Sequence, residues 1–337
     1  MHFVIYGAGA IGGAIGARLF TAGFPVTLIA RGQHSEIIQR QGLRYRDTTR
    51  DEMLAIDCVS HPKAVRWRED SVVIATMKGQ DSESAFESLF AVTGDRYPIF
   101  CAQNGVANEA LAQRYFSKVF AMLVVLPATY LTAGEVIHSA GTPGGLLDTY
   151  GFNLNASPQT ATDVAAALTQ SGFASLANPD TMALKHAKLL QNLGNALDLV
   201  LEDRDHSRDI MRRLRHEALS VFDAAGRPCA DAATSSARFN LVERGRVTGA
   251  PRGGSSTWQS KARGQSRIET PYLNGEICLL GRQYGIPTPT NHLVMAWAFK
   301  AISDQAWSMI SSAKALDLLL EASEGHQRSN SRWLDPR

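Results

Sequence analysis

The sequence predicts an α/β chain in two parts: an N-terminal parallel sheet of the Rossmann type wound with helices, then an all-helical C-terminal part. Short apolar runs at 3–6, 25–30, 71–77 and 97–102 have the length of buried strands, with room between them for crossover helices. The first run passes directly into glycines spaced G-x-G-x-x-G, at Gly7, Gly9 and Gly12, and then into a helical pattern. Beyond residue 180 the apolar residues recur at helical spacing. At 337 residues the chain is long enough for two domains, which we expect at 1–179 and 180–323, followed by a frayed tail at 324–337.

Each glycine of the first turn has a physical task. Gly7 permits the tight strand-to-helix turn, Gly9 lets a pyrophosphate approach the backbone, and Gly12 lets the helix lie close to the strand. The free N–H groups and positive end of the helix then face the phosphates. The backbone of Gly7, Ala8, Gly9, Ala10, Ile11 and Gly12 is the expected dinucleotide cradle.

The run at 25–30 reads as the second strand, and the residue after it decides between cofactors. An NAD site usually carries Asp or Glu near this point, to accept a hydrogen bond from the ribose 2′-hydroxyl. Here the residue is Arg31, and no acid stands between Thr27 and Ser35. A guanidinium binds a 2′-phosphate with two parallel hydrogen bonds, whereas a carboxylate would repel it. NADP(H) is therefore expected, the alternative being an arginine solvated at a strand end. The strands at 71–77 and 97–102 lead to Lys78 and to Gln103-Asn104-Gly105. In an open parallel sheet, ligands sit beyond the carboxyl ends of the strands. Lys78 is placed to meet cofactor phosphate or substrate charge, and Asn104 to bond the nicotinamide side or the substrate; singly, each is also an ordinary turn residue.

Residues 43–59 alternate poorly and read as a hairpin-like excursion, and 119–131, 135–140 and 145–150 read as three further strands before a helix at 160–171. A mostly apolar helix is expected over 182–201, carrying Lys188, Asn192 and Asn195 on one face at i, i+4 and i+7. Such a stripe must meet partners, a wet cleft or open solvent, because an unpaired buried polar group costs about 1–3 kcal/mol. Further helices are expected at 207–225, 233–245, 258–284, 292–311 and 313–322, with a loop at 250–256.

Composition narrows the function. A net charge of +2 gives no footprint for nucleic acid. Four cysteines, far apart and without metal spacing, suit a reduced, cytoplasmic protein with no bound metal. No cationic segment precedes the first apolar run, and the longest apolar run, 119–131, is broken by Pro127 and too short to span a bilayer, so no membrane partner is expected.

Taken in order, the motifs resemble one family, the 2-dehydropantoate 2-reductases or ketopantoate reductases. The matching stretches are GAGAIG at 7–12, Arg31, the Lys78 strand end, QNG at 103–105, KHAKLLQN at 185–192, SSTWQ at 255–259, ETPYLNG at 269–275 and the break YGIPTP at 284–289. The resemblance implies a Rossmann domain and a helical domain with the active site in the cleft between them, and NADPH-dependent reduction of a 2-oxo acid in pantothenate biosynthesis. It implies Lys188 as the catalytic lysine and Glu269 as the acid that meets it and the substrate hydroxyl. It implies Asn192 and Asn104 as substrate asparagines and Ser256 as the carboxylate-binding serine. The chemistry suits these types: hydride transfer to a ketone leaves an oxyanion that an ammonium can stabilise and protonate.

Two positions depart from the family pattern. The second asparagine usually stands four after the first; here that position is Ala196, with Asn195 beside it, and whether Asn195 substitutes is open. In the usual E-x-D, Pro271 replaces the aspartate. These bear on the substrate, a small-molecule 2-oxo acid. A reductase of another bulky 2-oxo acid, or a non-catalytic NADP-binding regulatory protein, are the alternatives, and a homodimer is compatible with each.

Overall fold

The structure is a computed structural model and describes residues 1–250, 256–262, 264, 267–304 and 306–324. The loop expected at 250–256 lies, from 251 to 255, outside the described residues, as does the tail from 325 onward. Two compact units divide the chain: Met1–Leu184 with Asp231–Arg252, and Lys185–Ala230 with Gly253–Arg337.

The first unit is built on a seven-stranded sheet in the order β11-β8-β7-β6-β1-β2-β5. Its strands are β1 (His2–Tyr6), β2 (Val26–Ile29), β5 (Asp57–Val59), β6 (Ser71–Ala75), β7 (Ile99–Cys101), β8 (Val119–Met122) and β11 (Thr149–Gly151). All pair in parallel except β11, which runs antiparallel to β8 at one edge. β1 is central, pairing Ile5 with Leu28 on one side and Ile74 on the other. Both of its faces are buried, as a parallel sheet requires. Phe3 and Ile5 join the core beneath α1 (Ala10–Thr21), with Ile15 and Leu19. Val4 joins the opposite core, with Val73, Phe86 and Ile99, beneath α3 (Ser82–Thr93). The unit's other helices are α2 (Gly32–Gln41), α4 (Asn108–Ala112), α5 (Pro158–Gln170), the start of α6 (Thr181–Asn192) and α9 (Ala232–Phe239).

A second, four-stranded sheet, β4-β3-β10-β9, gathers strands that the sequence reading expects singly but does not assemble. β3 (Leu43–Arg46) and β4 (Asp51–Leu54) form the hairpin expected in 43–59. β10 (Glu135–His138) pairs in parallel with β3 and antiparallel with β9 (Ala128–Thr129). The parallel pairing joins strands far apart in sequence, which no local pattern encodes. The strand expected at 145–150 forms only from Thr149.

The two-domain division needs correction at 180–323. The units part inside α6, and 231–252 returns to the sheet unit. A buried ion pair explains the return. Arg238, in α9, donates from Nε and Nη2 to the fully buried Asp148, whose carboxylate also accepts from Leu176 N at 3.0 Å and Asn178 Nδ2 at 3.1 Å. The Gly245 N–H then donates to Ser139 O at 2.8 Å. Sequence spacing cannot reveal a charge pair whose members stand 90 residues apart.

The second unit is helical: the remainder of α6, α7 (Leu197–Val200), α8 (Ser207–Ala224), α10 (Ser256–Ala262), α11 (Asn274–Tyr284), α12 (Pro289–Ser303) and α13 (Ser312–Glu324). α8 buries Ile210, Leu214, Ala218, Val221 and Phe222 along one stripe, and α12 buries Leu293, Val294, Trp297 and Ala301. Glu217 of α8 caps α12, accepting from Thr290 N at 2.8 Å and from Asn291 N and Nδ2 at 3.0 and 2.8 Å. The helix expected over 258–284 is instead α10, a 3-10 turn at Thr270–Tyr272 and α11, as Pro271 requires.

The single helix expected over 182–201 is also two. α6 ends at Asn192, and residues 193–196 are turns closed by bonds such as Asn195 N to Asn192 O and Leu197 N to Gly194 O. Gly194 is the weak point for a helix. A side chain there would put Cβ 2.6 Å from Met211 Sδ of α8, so packing holds the glycine in place. Asn195 thus stands in the turn after α6, outside the helix that carries Lys188 and Asn192.

Candidate active site

In the sheet unit, every residue expected at the cofactor stands at the carboxyl ends of neighbouring strands. The glycine turn follows β1, Arg31 follows β2, Lys78 follows β6 and Asn104 follows β7. Gly7 has φ +105, and a Cβ there would lie 2.6 Å from Met77 N. A Cβ at Gly12 would collide with Gly7 O and Thr76 Oγ1. Gly9 differs: its Cβ would meet nothing nearer than Tyr130 Cδ1 at 3.9 Å. So two glycines are demanded by the fold, and the third faces room. α1 begins there with no side-chain cap and no acid in its first turn, leaving its amino end open to an anion. These features fit the pyrophosphate of a dinucleotide.

His34, Tyr130 and Thr76, which the sequence reading missed, hold this turn. His34, in α2 and buried, donates from Nε2 to Ala8 O at 2.7 Å and accepts at Nδ1 from Gly134 N at 2.8 Å. Its ring packs on Tyr130, with centroids 4.4 Å apart. Thr76 Oγ1 donates to Gly7 O at 2.7 Å. Gln103 is buried and donates from Nε2 to Ser82 Oγ at 2.8 Å, which donates to Asn108 Oδ1 at 2.7 Å, so the residue before Asn104 is an anchor. Arg31 lies largely in solvent, its Nη2 3.4 Å from Asp81 Oδ2.

In the helical unit, Lys188 and Glu269 are brought together. Lys188 is partly exposed as a residue, but its ammonium is deeply enclosed. Burial lowers its pKa to about 7; the Lys185 charge three residues earlier pushes the same way, and the Glu269 carboxylate pulls back. Lys185 and Glu269 are each only 4% exposed, so three ionisable groups share one enclosed place. Glu269 is the residue before the 3-10 turn of ETPYLNG, and Asn274 ties that motif to α6. Its Nδ2 donates to Leu193 O, just past the end of the helix, at 3.1 Å, and to Asn291 Oδ1 at 3.1 Å. Asn192, one turn beyond Lys188, has a buried Nδ2 with no hydrogen-bond partner. So does the Oγ1 of Thr257, 1% exposed, in α10. Native interiors seldom leave such groups unsatisfied, so each is a donor or acceptor that a ligand could engage. The Ser256 side chain lies outside what the structure describes.

A tuned lysine beside a carboxylate on one unit, and a dinucleotide turn on the other, are the parts of a reductase. Two family models match in order, Ketopantoate reductase PanE/ApbA over residues 3–146 and its C-terminal counterpart over 183–300. The chain belongs to the ketopantoate reductase family. It is 25% identical over 313 residues to the 2-dehydropantoate 2-reductase of Aquifex aeolicus, covering 87% of this chain and 94% of that one. It is 26% identical over 307 residues to that of Archaeoglobus fulgidus, covering 86% and 94%. A crystal structure of a PanE/ApbA family ketopantoate reductase from Ralstonia eutropha superposes with a TM-score of 0.76 at 28% identity, covering 91% of this chain and all of the other. The expectation of an α/β NADP-dependent oxidoreductase of this family therefore holds. Among the described residues, no helix is long and apolar enough to cross a membrane.

Proposed function

We propose that this protein reduces 2-dehydropantoate to pantoate in the cytoplasm, with Lys188 and Glu269 at the reacting end of the substrate. The observation that carries the reading is the enclosed Lys188–Glu269 pair in a chain of this family. NADPH, when bound, supplies the hydride to C2 of the 2-oxo acid. Gly7, Ala8, Gly9, Ala10, Ile11 and Gly12 cradle its pyrophosphate, Arg31 takes the 2′-phosphate, and Lys78 adds positive charge at the next strand end. Asn104 orients the nicotinamide side and the substrate carboxylate. Lys188 holds a proton on Nζ against the ketone oxygen and delivers it as the alkoxide forms. A proton affinity near neutrality suits that task, since such an ammonium gives its proton up readily and regains it from water. Asn192 offers its orphaned Nδ2–H to the substrate, with Ser256 as a second neutral donor. Asn195, in the turn just after α6, is a further substrate donor in this reading. Four cysteines that form no disulfide agree with a reducing compartment.

Glu269 gives the reading its sharpest test. A buried carboxylate that accepts from the hydroxyl of 2-dehydropantoate should reject the analogue lacking it, because its desolvation would go uncompensated. kcat/KM for 2-dehydropantoate should exceed that for 2-oxoisovalerate by at least about 10²-fold, and Glu269→Gln should shrink the ratio. Comparable values on the wild type would remove Glu269 as the hydroxyl reader and point to a reductase of a different 2-oxo acid, recut at Ala196 and Pro271.

A further inference from the structure

We propose that Asp81 sets how strongly this protein prefers NADPH over NADH, by competing with the 2′-phosphate for Arg31. The inference rests on the reading of Arg31 as the 2′-phosphate partner. The sheet order supplies the geometry. β6 and β2 flank β1, so Asp81, beyond β6, and Arg31, beyond β2, reach toward each other across the end of the strand that carries the glycine turn. Their charged atoms meet at 3.4 Å. The guanidinium charge also reaches the phenol of Tyr6, the last residue of β1, opposing the rise that burial causes there. The ion pair therefore spans the mouth of the dinucleotide turn.

The pair is built to be opened. The Arg31 side chain is 73% exposed, and an ion pair so open to water is worth little. A 2′-phosphate, with more charge and two parallel acceptors, takes the guanidinium from a carboxylate. Asp81 is then left beside the incoming phosphate with a charge of the same sign, and that repulsion weakens NADPH binding. NADH meets the opposite situation. Its 2′-hydroxyl is a donor, and Asp81 can accept from it while still holding Arg31. The carboxylate that an NAD site usually carries after the second strand is absent from residues 27–35. Asp81 supplies one from the other side of β1. Arg31 and Asp81 thus pull cofactor choice in opposite directions.

The experiment measures dissociation constants of NADPH and NADH by titration of the intact protein, for wild type, Asp81→Asn and Arg31→Ala. Asp81 sits at the start of α3, where asparagine is equally favoured, and unfolding midpoints of wild type and Asp81→Asn check that the local fold is kept. Asp81→Asn should tighten NADPH by about three- to tenfold, the scale of one charge–charge contact in water, and should not tighten NADH. The affinity ratio then rises. An unchanged or smaller ratio in Asp81→Asn, with Arg31→Ala still weakening NADPH by about tenfold or more, overturns the role of Asp81 and leaves that of Arg31 standing. If Arg31→Ala leaves NADPH affinity unaltered, both assignments fall.

Discussion

In the sheet unit, His138 is fully buried beside Tyr45, and both are neutral. Tyr45 Oη donates to His138 Nδ1 at 2.7 Å, and His138 Nε2 donates to Gly144 O. Burial pushes the tyrosine pKa well above its ordinary value and lowers the histidine to about 4, with Arg18 adding to the latter. In the helical unit, Lys185, Lys188 and Glu269 are as enclosed, yet Lys188 is balanced near neutrality, and Asn192 keeps a donor unused. In the first cluster Tyr45 and His138 satisfy each other between β3 and β10 of the second sheet. The second holds charge poised and donors in reserve, an arrangement that costs stability and serves a ligand. Burial alone therefore does not mark a site; what sets the second cluster apart is a lysine and a carboxylate enclosed together.

The sharpest break of that contrast is Lys188→Met. A side chain of similar length without charge should lower kcat for 2-oxo acid reduction by about 10²–10⁴, the usual span for an acid–base group. Folding should be unharmed or strengthened, because a desolvated ammonium beside Lys185 is removed. Steady-state kinetics and thermal unfolding of the same sample decide it. A near-normal kcat would show Lys188 to be structural, and a large loss of stability would place it in the same class as His138.

The His138 cluster should answer to acid through stability. Its unfolded pKa of 6.5 lies above the folded value of about 4, so the unfolded chain binds more protons between those limits. The stabilisation is complete above pH 6.5, is lost as pH falls toward 4, and amounts to about 3 kcal/mol over that window. The charged groups around the ring, Arg18 from α1 and Asp47 and Arg50 from the hairpin, partly offset one another. Urea unfolding from pH 7 to pH 4 should show a shallower decline for His138→Asn than for wild type. Equal slopes would mean that His138 titrates alike folded and unfolded.

The sheet and its cofactor end were legible because their signals are local. β1 and its glycines are contiguous, and Arg31, Lys78 and Asn104 each follow an apolar run that can be nothing but a strand in a doubly wound fold. What stayed hidden depends on contacts between distant residues. β3 pairs with β10, and Asp148 captures Arg238, across intervals that no periodicity spans. His34 has no local signal, yet it braces Ala8 of the turn from 26 residues away. In the helical unit, the spacing of Lys188 and Asn192 is legible, whereas the break between α6 and α7 is not: 182–201 reads as one helix, while residues 193–196 form turns where Gly194 packs against Met211. Asp81 carries no such signal, because an acid for the ribose is expected after the second strand, whereas Asp81 reaches Arg31 from beyond β6, on the other side of β1.

The smallest expected effect tests what keeps Lys188 poised. Lys185 lies three residues earlier on α6, which sets the two side chains on adjoining positions of one face. Glu269 approaches from the segment before α11 and favours the charged form of Lys188, while burial and Lys185 disfavour it. Replacing Lys185 by methionine removes one of the two downward influences and retains the other, so the Lys188 pKa should rise above about 7 without reaching that of a free lysine. The sign for activity follows from its role as donor. Reduction needs the ammonium, so the wild-type rate should fall as pH climbs through about 7, and in Lys185→Met that fall should move to higher pH. At pH 6, where both proteins hold the proton, kcat should differ little. The reverse reaction, which needs the neutral amine, should shift in the same direction and become slower at neutral pH. Lys185→Arg keeps the charge and should keep the wild-type profile, provided the larger guanidinium is accommodated; unfolding midpoints for both variants check that. A profile that stays put in Lys185→Met would mean that burial alone poises Lys188. A loss of kcat at every pH would mean instead that Lys185 touches the substrate, and the two lysines of KHAK would exchange roles.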